Sequence, residues 1–220
     1  MTKPTVAAII PAYNEEQTVA DVVRPLKASP HVGEVLVISD GSTDQTVKVA
    51  RAAGATVHEL SEKGGKGQAM YRALSYTDAP IVAFFDADLI GLTQEHIEQL
   101  VLPVVSGSRM MNVGVRDKGP LGTFIAKHLP LVGGERVMLR QVISSIDPKY
   151  LKGFMVESSL NYYCRSRGYS YGAVILRDLT MRRKFQKVGL WPSALEYVKM
   201  WYAVAKAMIV VRVARARKEF

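Results

Sequence analysis

The chain has 220 residues, 48% of them hydrophobic and 22% charged, and its formal net charge is +9. These values indicate one ordinary globular domain, or one domain with an appendage. The positive charge suits polyanionic partners such as nucleotide diphosphates, nucleic acid or an anionic membrane surface. The single cysteine, Cys164, excludes an internal disulfide and a cysteine zinc cluster.

The start of the chain has no signal-peptide pattern, because Lys3 and Pro4 precede only a short strand-like run. No stretch reaches the roughly 18 uncharged apolar residues that a membrane span needs. We therefore expect a cytoplasmic protein, with a role for the C-terminus at the inner face of the membrane left open.

The first half of the sequence alternates predicted strands and helices. The predicted strands are residues 5–10 (ended by Pro11), 34–39, 56–60 and 81–85, and the predicted helices are residues 16–28, 42–53 (capped by Ser42 or Thr43) and 68–76. This alternation is the βαβ pattern of an α/β fold with a mostly parallel, doubly wound sheet flanked by helices.

Polar residues follow each of these predicted strands. They are Asn14, Glu15, Asp40, Lys63, Lys66, Asp86 and Asp88. Because ligands bind at the carboxyl ends of the strands in open α/β sheets, we expect these side chains to line one rim.

Two carboxylates one residue apart, Asp86 and Asp88, follow the most apolar of these strands. Such a pair can share Mg²⁺ or Mn²⁺, and a metal held there stabilises the charge of a departing diphosphate. An Asp-x-Asp sequence alone is common in solvated turns, so its position after a buried strand is what favours the metal site.

The glycine-rich turn at residues 63–67 brings Lys63 and Lys66 to the same rim, where they can reach phosphates. A solvated basic turn is the alternative. The turn lacks Walker P-loop spacing, and no Gly-x-Gly-x-x-Gly follows the first strand, which argues against a dinucleotide cofactor. Asp40 is placed either to accept hydrogen bonds from a base or ribose or to cap the next element, and Asn14 and Glu15 share this ambiguity.

Four ordered motifs, at residues 11–16, 39–44, 63–67 and 86–88, resemble those of the family 2 nucleotide-sugar glycosyltransferases. Within that family, the pattern is nearest to polyprenyl-phosphate sugar synthases and glucosyl-3-phosphoglycerate synthase. The resemblance implies the GT-A fold, a nucleotide-diphosphate sugar donor and a divalent metal, Mg²⁺ or Mn²⁺.

The resemblance also implies roles for individual residues. The residues implied to contact the donor are Pro11, Tyr13, Asn14, Glu15, Asp40, Lys63, Lys66, Asp86, Ala87 and Glu135. Both Asp86 and Asp88 match the metal motif, with Asp88 in direct contact and Asp86 facing the ribose or a metal-bound water.

The second half is expected to hold the acceptor. Thr93 is predicted to cap a helix over residues 94–101 that Pro103 ends, and residues 104–109 look like a strand end. The basic segment at residues 112–131 is either a lid or acceptor channel or an ordinary surface excursion.

Two further helices are predicted over residues 133–146 and 153–167, and strands over 171–176 and 178–181. By resemblance, Glu135 lies near the transferred sugar. Glu157 is either the base that deprotonates a hydroxyl acceptor, a group that positions the sugar, or a simple first-turn helix acid. Relatives often carry a histidine that joins the metal shell near residues 180–183, and this chain has no histidine at those positions.

The last residues, 194–213, are predicted to form an apolar helix interrupted by three charged side chains and followed by arginines. Such a helix can lie in a bilayer interface, pack on the sheet or form a homodimer contact. The predicted organisation is a GT-A domain over residues 1–190, with donor half 1–90 and acceptor half 91–190, and a basic amphipathic helix over 191–220.

These patterns predict a metal-dependent glycosyltransferase whose acceptor is phosphorylated, with a membrane polyprenyl phosphate favoured. The alternatives are a soluble transferase acting on a small phosphorylated acid such as 3-phosphoglycerate, and a catalytically silent nucleotide- or membrane-binding module. Charge alone suggests a nucleic-acid binder, but the basic residues lack interleaved aromatics, so we expect no nucleic acid partner.

Overall fold

The computed structural model of the chain describes residues 5–117, 133–151, 155–182 and 213. The strands are β1 (Val6–Ala12), β2 (Glu34–Ser39), β3 (Thr56–Glu59), β4 (Ile81–Phe84), β5 (Leu89–Ile90), β6 (Met111–Arg116), β7 (Arg136–Leu139), β8 (Tyr171–Leu176) and β9 (Thr180–Met181). The α-helices are α1 (Val19–Ala28), α2 (Thr46–Ala52), α3 (Lys66–Ala73), α4 (Gln94–Val105), α5 (Arg140–Ser144) and α6 (Met155–Ser166), and Leu74–Tyr76 and Pro148–Tyr150 are 3₁₀ turns.

Seven strands form one sheet in the order β3-β2-β1-β4-β7-β6-β8, and β5 pairs with β9 in a separate two-stranded sheet. Within the large sheet, β7 runs antiparallel to its neighbours β4 and β6, and the other neighbouring pairs are parallel. This architecture confirms the predicted α/β fold with a mostly parallel sheet.

The sheet is buried on both faces, which is why β1 and β4 are continuously apolar rather than alternating. Ile10 of β1 lies on the face that α1 and α4 cover, with Val22 and Ile97 in the same cluster. Ile9 lies on the opposite face, where α3 and α6 contribute Met70 and Leu160.

The first strand is longer than predicted, because Pro11 lies inside β1 and does not end it. Pro11 pairs with Ile38 of β2. On the other side, pairing with β4 ends at Ile9, whose carbonyl accepts the N–H of Phe85. Pro11 faces this side two residues later, where β4 has already ended, so its missing N–H costs no ladder bond.

Helix α4 is capped by Thr93 as predicted, but it runs through Pro103 to Val105. A proline leaves the carbonyl four residues earlier without its helical donor. Here the carbonyl of Gln99 accepts a hydrogen bond from the Asn112 side chain at 2.9 Å. Residues 104–109 are therefore a helix end and a turn, and their prediction as a strand end is wrong.

Two further elements differ from their predictions. Residues 112–116, predicted as the start of a lid, an acceptor channel or a surface excursion, instead belong to the largely buried strand β6. The predicted helix over 133–146 is instead β7 followed by the short helix α5. The apolar spacing after Arg136 also fits a helix, but pairing with β4 and β6 makes these residues a strand.

Parts of the predictions fall outside the described residues, namely the rest of the predicted lid, 118–131, and the C-terminal segment 191–220 except Val213. The domain division and the C-terminal amphipathic helix stay predictions. Among the residues that the structure describes, no helix is long and apolar enough to cross a membrane.

Candidate active site

The loops after β1, β2, β3 and β4 meet at one rim of the sheet, as the sequence predicts. Asn14 joins the first two of them. Its backbone N–H donates to Ser42 Oγ at 3.2 Å, and its side-chain oxygen accepts the Thr43 N–H at 2.8 Å. Neither Ser42 nor Thr43 caps α2, contrary to the prediction, because both are engaged by Asn14. The φ of Asn14 is 55°, a left-handed conformation that asparagine tolerates better than most residues.

Glu15 and Asp44 complete this junction. The backbone N–H of Glu15 donates to Thr46 Oγ1 at 2.8 Å, and Asp44 accepts the backbone N–H of Thr46 at 3.0 Å. The two loops therefore form one hydrogen-bonded unit. The implied contacts of Asn14 and Glu15 with a donor stay predictions.

Asp40, which is 4% exposed, holds the glycine-rich turn. Its two carboxylate oxygens accept the backbone N–H groups of Gly64 and Gly65, at 2.7 Å and 2.8 Å. The sequence left open a cap and a base-reading role for Asp40. In the structure the carboxylate bonds a turn distant in sequence, and the base contact stays a prediction.

Replacing Asp40 with Ala removes both acceptors from the turn. Because hydrogen bonds to charged groups contribute about 1.5–3 kcal/mol each, we expect the turn to loosen and the KM for a nucleotide-sugar donor to rise at least about 10-fold. Donor titration in steady-state kinetics measures this. Asp40→Asn keeps one acceptor and should lie between Asp40→Ala and the wild type; equal KM values for all three would contradict the role.

The two lysines of the turn have different partners. Lys63 places its ammonium 3.4 Å from the centre of the Tyr13 ring, a cation–π contact between two exposed side chains. Lys66, the first residue of α3, pairs with Asp86. Burial alone would lower the pKa of Lys66, yet it is raised, because the carboxylates of Asp86 and Glu157 favour the charged ammonium.

Gly134 forms the wall behind Asp86, because a Cβ there would overlap the Asp86 carboxylate and lie 3.0 Å from its Cγ. The Asp86 carboxylate therefore lies between the Lys66 ammonium and the backbone of Gly134. Only Glu135 of the Gly134-Glu135 pair was predicted as a site residue, because the role of Gly134 depends on the fold around it.

Asp88 lies where β4 passes into the small sheet of β5 and β9. Its backbone carbonyl accepts the N–H of Arg182 at 3.0 Å, so the segment that lacks the expected histidine lies beside the acidic motif. Burial, together with the charges of Asp86 and Glu15, raises the pKa of Asp88 to about 6. An oxygen-rich, negatively charged position of this kind favours a cation.

Glu135 is fully buried directly before β7, and neither of its carboxylate oxygens has a hydrogen-bond partner among the described residues. Burial and the charge of Asp86 raise its pKa, while Arg116 and Lys66 oppose the shift. Buried carboxylates without partners are rare and costly, so this one is available to polar groups of a ligand.

Arg116 was predicted only as part of the basic segment 112–131, a lid, an acceptor channel or a surface excursion, and not as a residue of the rim. It ends β6, and its charge opposes the raised pKa of both Asp88 and Glu135. The sequence did not predict residues 111–116 as a strand. Only that strand places Arg116, its carboxyl-terminal residue, at the rim. Glu157, in the first turn of α6, is, after Glu135, a second acidic side chain that reaches this region from the predicted acceptor half.

The residues at the rim fit a divalent cation that takes part of its coordination from a ligand. Among the residues described, no three histidine, cysteine or carboxylate side chains form a complete metal-binding group. Asp88 offers hard oxygen donors, and Mg²⁺ commonly takes one or two carboxylates, with phosphates and water filling the remaining positions. Asp86 is paired with Lys66, so its predicted metal contact stays a prediction.

The family model for "Glycosyl transferase family 2" matches residues 7–167. The chain belongs to this family. The match spans all four loops described above and extends through α6, so it includes Glu135 and Glu157 as well as the donor-side residues.

Among curated proteins, the chain is 38% identical over 157 residues to glucosyl-3-phosphoglycerate synthase of Mycolicibacterium smegmatis, covering 66% of this chain and 51% of that protein. It is 35% identical over 98 residues to 4,4'-diaponeurosporenoate glycosyltransferase of Staphylococcus aureus, covering 42% of this chain and 26% of that protein. The chain thus spans about half the length of the synthase it matches.

Solved structures of glucosyl-3-phosphoglycerate synthase from Mycobacterium tuberculosis share the GT-A fold. One, in complex with phosphoglyceric acid, superposes with a TM-score of 0.70 at 26% identity, covering 82% of this chain and 72% of that chain. Another, in complex with Mn²⁺, UDP and phosphoglyceric acid, gives 0.77 at 25% identity, covering 94% and 78%.

Proposed function

We propose that the chain transfers a sugar from a nucleotide diphosphate to a small phosphorylated acid such as 3-phosphoglycerate. The observation that carries the proposal is the 38% identity to glucosyl-3-phosphoglycerate synthase over 157 residues, which extends past the donor loops. This acceptor was the alternative at the level of sequence. It replaces the favoured polyprenyl phosphate because the relatives reported above include glucosyl-3-phosphoglycerate synthase.

On the donor side, the loops after β1 and β2 would hold the base and ribose, and Lys63 and Lys66 the diphosphate. A divalent cation, when bound at Asp88, supplies charge stabilisation to the departing diphosphate. The raised pKa of Lys66 keeps its ammonium charged throughout the neutral range, which suits a phosphate contact. Asp86 would then exchange its lysine partner for the ribose or a metal-bound water.

On the acceptor side, a glycerate hydroxyl must lose its proton as it attacks, so a base is needed. Glu157 is the proposed base, since it faces the rim from α6. Glu135 would orient sugar hydroxyls with its two carboxylate oxygens, which have no hydrogen-bond partner among the described residues. Arg116 would balance the charge of an anionic acceptor.

The test is a matrix of donors and acceptors. We expect UDP-glucose, GDP-glucose or ADP-glucose, with Mn²⁺ or Mg²⁺, to raise the melting temperature and to give transfer to 3-phosphoglycerate but not to glycerate, which lacks the phosphate. Asp21→Asn, on the exposed surface of α1, serves as an unaffected control. If no donor binds in the presence of metal, the proposal fails; transfer to polyprenyl phosphate in detergent instead of 3-phosphoglycerate would restore the rival acceptor.

A further inference from the structure

The three glycines in the turn at residues 63–67 have different surroundings. Gly65 precedes α3 with a φ of 82°, and a Cβ there would meet nothing within 4 Å. A Cβ at Gly64 would overlap the flexible end of the Gln68 side chain and lie 3.0 Å from the Gln68 Cβ. Close approach of a phosphate to the backbone is thus a role that Gly64 and Gly65 can serve.

Gly67 faces protein. A Cβ on this buried residue would overlap the carbonyl oxygen of Leu151, lie 2.8 Å from the Leu151 carbonyl carbon and overlap Val156 Cγ2. Leu151 and Val156 are each 1% exposed. Because the main obstacle is backbone, a rotamer change cannot relieve it, and the first turn of α3 packs directly on the chain around the start of α6.

The neighbours of this contact are charged residues of the rim. Lys66 precedes Gly67 on α3, and Glu157 follows Val156 on α6. The carboxylate of Glu157 acts on the Lys66 ammonium together with that of Asp86. The backbone contact therefore lies one residue away from a cation of the donor half and an acid of the acceptor half.

We propose that Gly67 is a positioning residue that fixes the distance between the diphosphate cation Lys66 and the acceptor-side acid Glu157. This inference rests on the proposed function for the roles of the two charges. Without the close contact, α6 and the donor rim separate by roughly the width of a methyl group. A misplacement of about 1 Å can cost about 100-fold in rate when reacting groups must be aligned.

The experiment compares Gly67→Ala with Gly33→Ala, the same change at an exposed glycine before β2 and outside the donor rim, where the added methyl group would crowd only the exposed side chain of Thr5. For Gly67→Ala we expect kcat for transfer to fall at least about 10-fold, while the Kd for UDP with Mn²⁺, measured by calorimetry, stays within about 3-fold of wild type. Alanine is the better helix former, so the loss would run against helix propensity. Gly33→Ala should keep both values within about 3-fold.

A kcat for Gly67→Ala equal to that of Gly33→Ala would overturn the proposal. So would a loss of UDP binding as large as the loss of kcat, because it would assign Gly67 to the donor loop alone. If Gly67→Ala does not fold, Val156→Leu enlarges the side chain that packs against Gly67 from α6. This variant must then lower kcat while leaving the Kd for UDP nearly unchanged.

Hydrogen exchange of the free protein separates this inference from the proposed function. Gly67→Ala should raise amide exchange over residues 155–160, and Gly33→Ala should not. If wild type transfers to no acceptor but this difference is present, the proposed function fails and the contact stands. If wild type transfers and exchange is unchanged, the positioning role fails.

Discussion

Asp88→Asn should abolish metal-dependent transfer and at the same time stabilise the metal-free protein at neutral pH. A carboxylate that holds the cation supplies several kcal/mol to the transition state, so we expect kcat/KM to fall at least about 1000-fold. The stabilisation follows from electrostatics, because Asp88 is charged at neutral pH beside Asp86 and Glu15.

The pH dependence has a definite sign. The pKa of Asp88 is about 6 in the folded chain, against 3.8 for an ordinary aspartate. Between these values the folded state binds more protons than the unfolded state, so the stability contributed by Asp88 falls as pH rises through this window. The full shift would correspond to about 3 kcal/mol, and solvent screening of this partly exposed group reduces the expected effect to about 1 kcal/mol.

Thermal unfolding in the presence of a chelator measures this. We expect Asp88→Asn to melt about 2–4 °C above wild type at pH 7.5 and at the same temperature as wild type near pH 4. Added Mn²⁺ should raise the melting temperature of the wild type only. A variant that keeps its Mn²⁺ response, or a gain that does not vary with pH, would contradict the assignment of Asp88.

Lys66→Met should also abolish transfer, but with the opposite effect on stability. It removes a phosphate-binding cation and leaves Asp86 unpaired among other carboxylates. Breaking a fully buried pair costs about 3–5 kcal/mol, and since the Lys66 side chain is 33% exposed and that of Asp86 15%, we expect about 1–2 kcal/mol here. The kcat/KM should fall about 100-fold or more.

A double-mutant cycle tests whether the pair accounts for this loss. Asp86→Asn in the Lys66→Met background should restore most of the stability measured by denaturant unfolding, and none of the activity. Lys48→Met, on the exposed side of α2, is the matched control and should change neither quantity. Additive stability losses in the double variant would show that Lys66 and Asp86 do not interact.

The donor half was predictable because its signals are local. Each apolar run ends in a polar loop, and the parallel βαβ pattern brings those loops together without further information. The internal bonding of the rim was not predictable: Asp40 acts on Gly64 and Gly65, residues 24 and 25 positions later. Such a contact depends on the order of strands in the sheet, which periodicity does not specify.

The second half was predicted less well for a specific reason. Pro103 predicts a helix end, yet the amide of Asn112 replaces the missing donor from another strand. Likewise, the chain after Arg136 has a spacing that a helix and a strand both accept, and pairing partners far away in sequence select the strand. Tertiary contacts override local preference at both places.

The antiparallel strand β7 has a consequence for the order of folding. Among the described strands, β6 and β8 join the donor-side strands only through the pairing of β4 with β7, whose paired residues lie more than 50 positions apart, as Ile81 and Leu139 do. Pairings β1–β2 and β2–β3 close much shorter loops, so their entropic cost is smaller. Strand β4 pairs with β1 over a still longer separation, as Val6 and Ile81 do. The β1–β2–β3 part of the sheet can therefore assemble first, and β4, β7 and the remaining strands of the large sheet are added later at the open edge of β1.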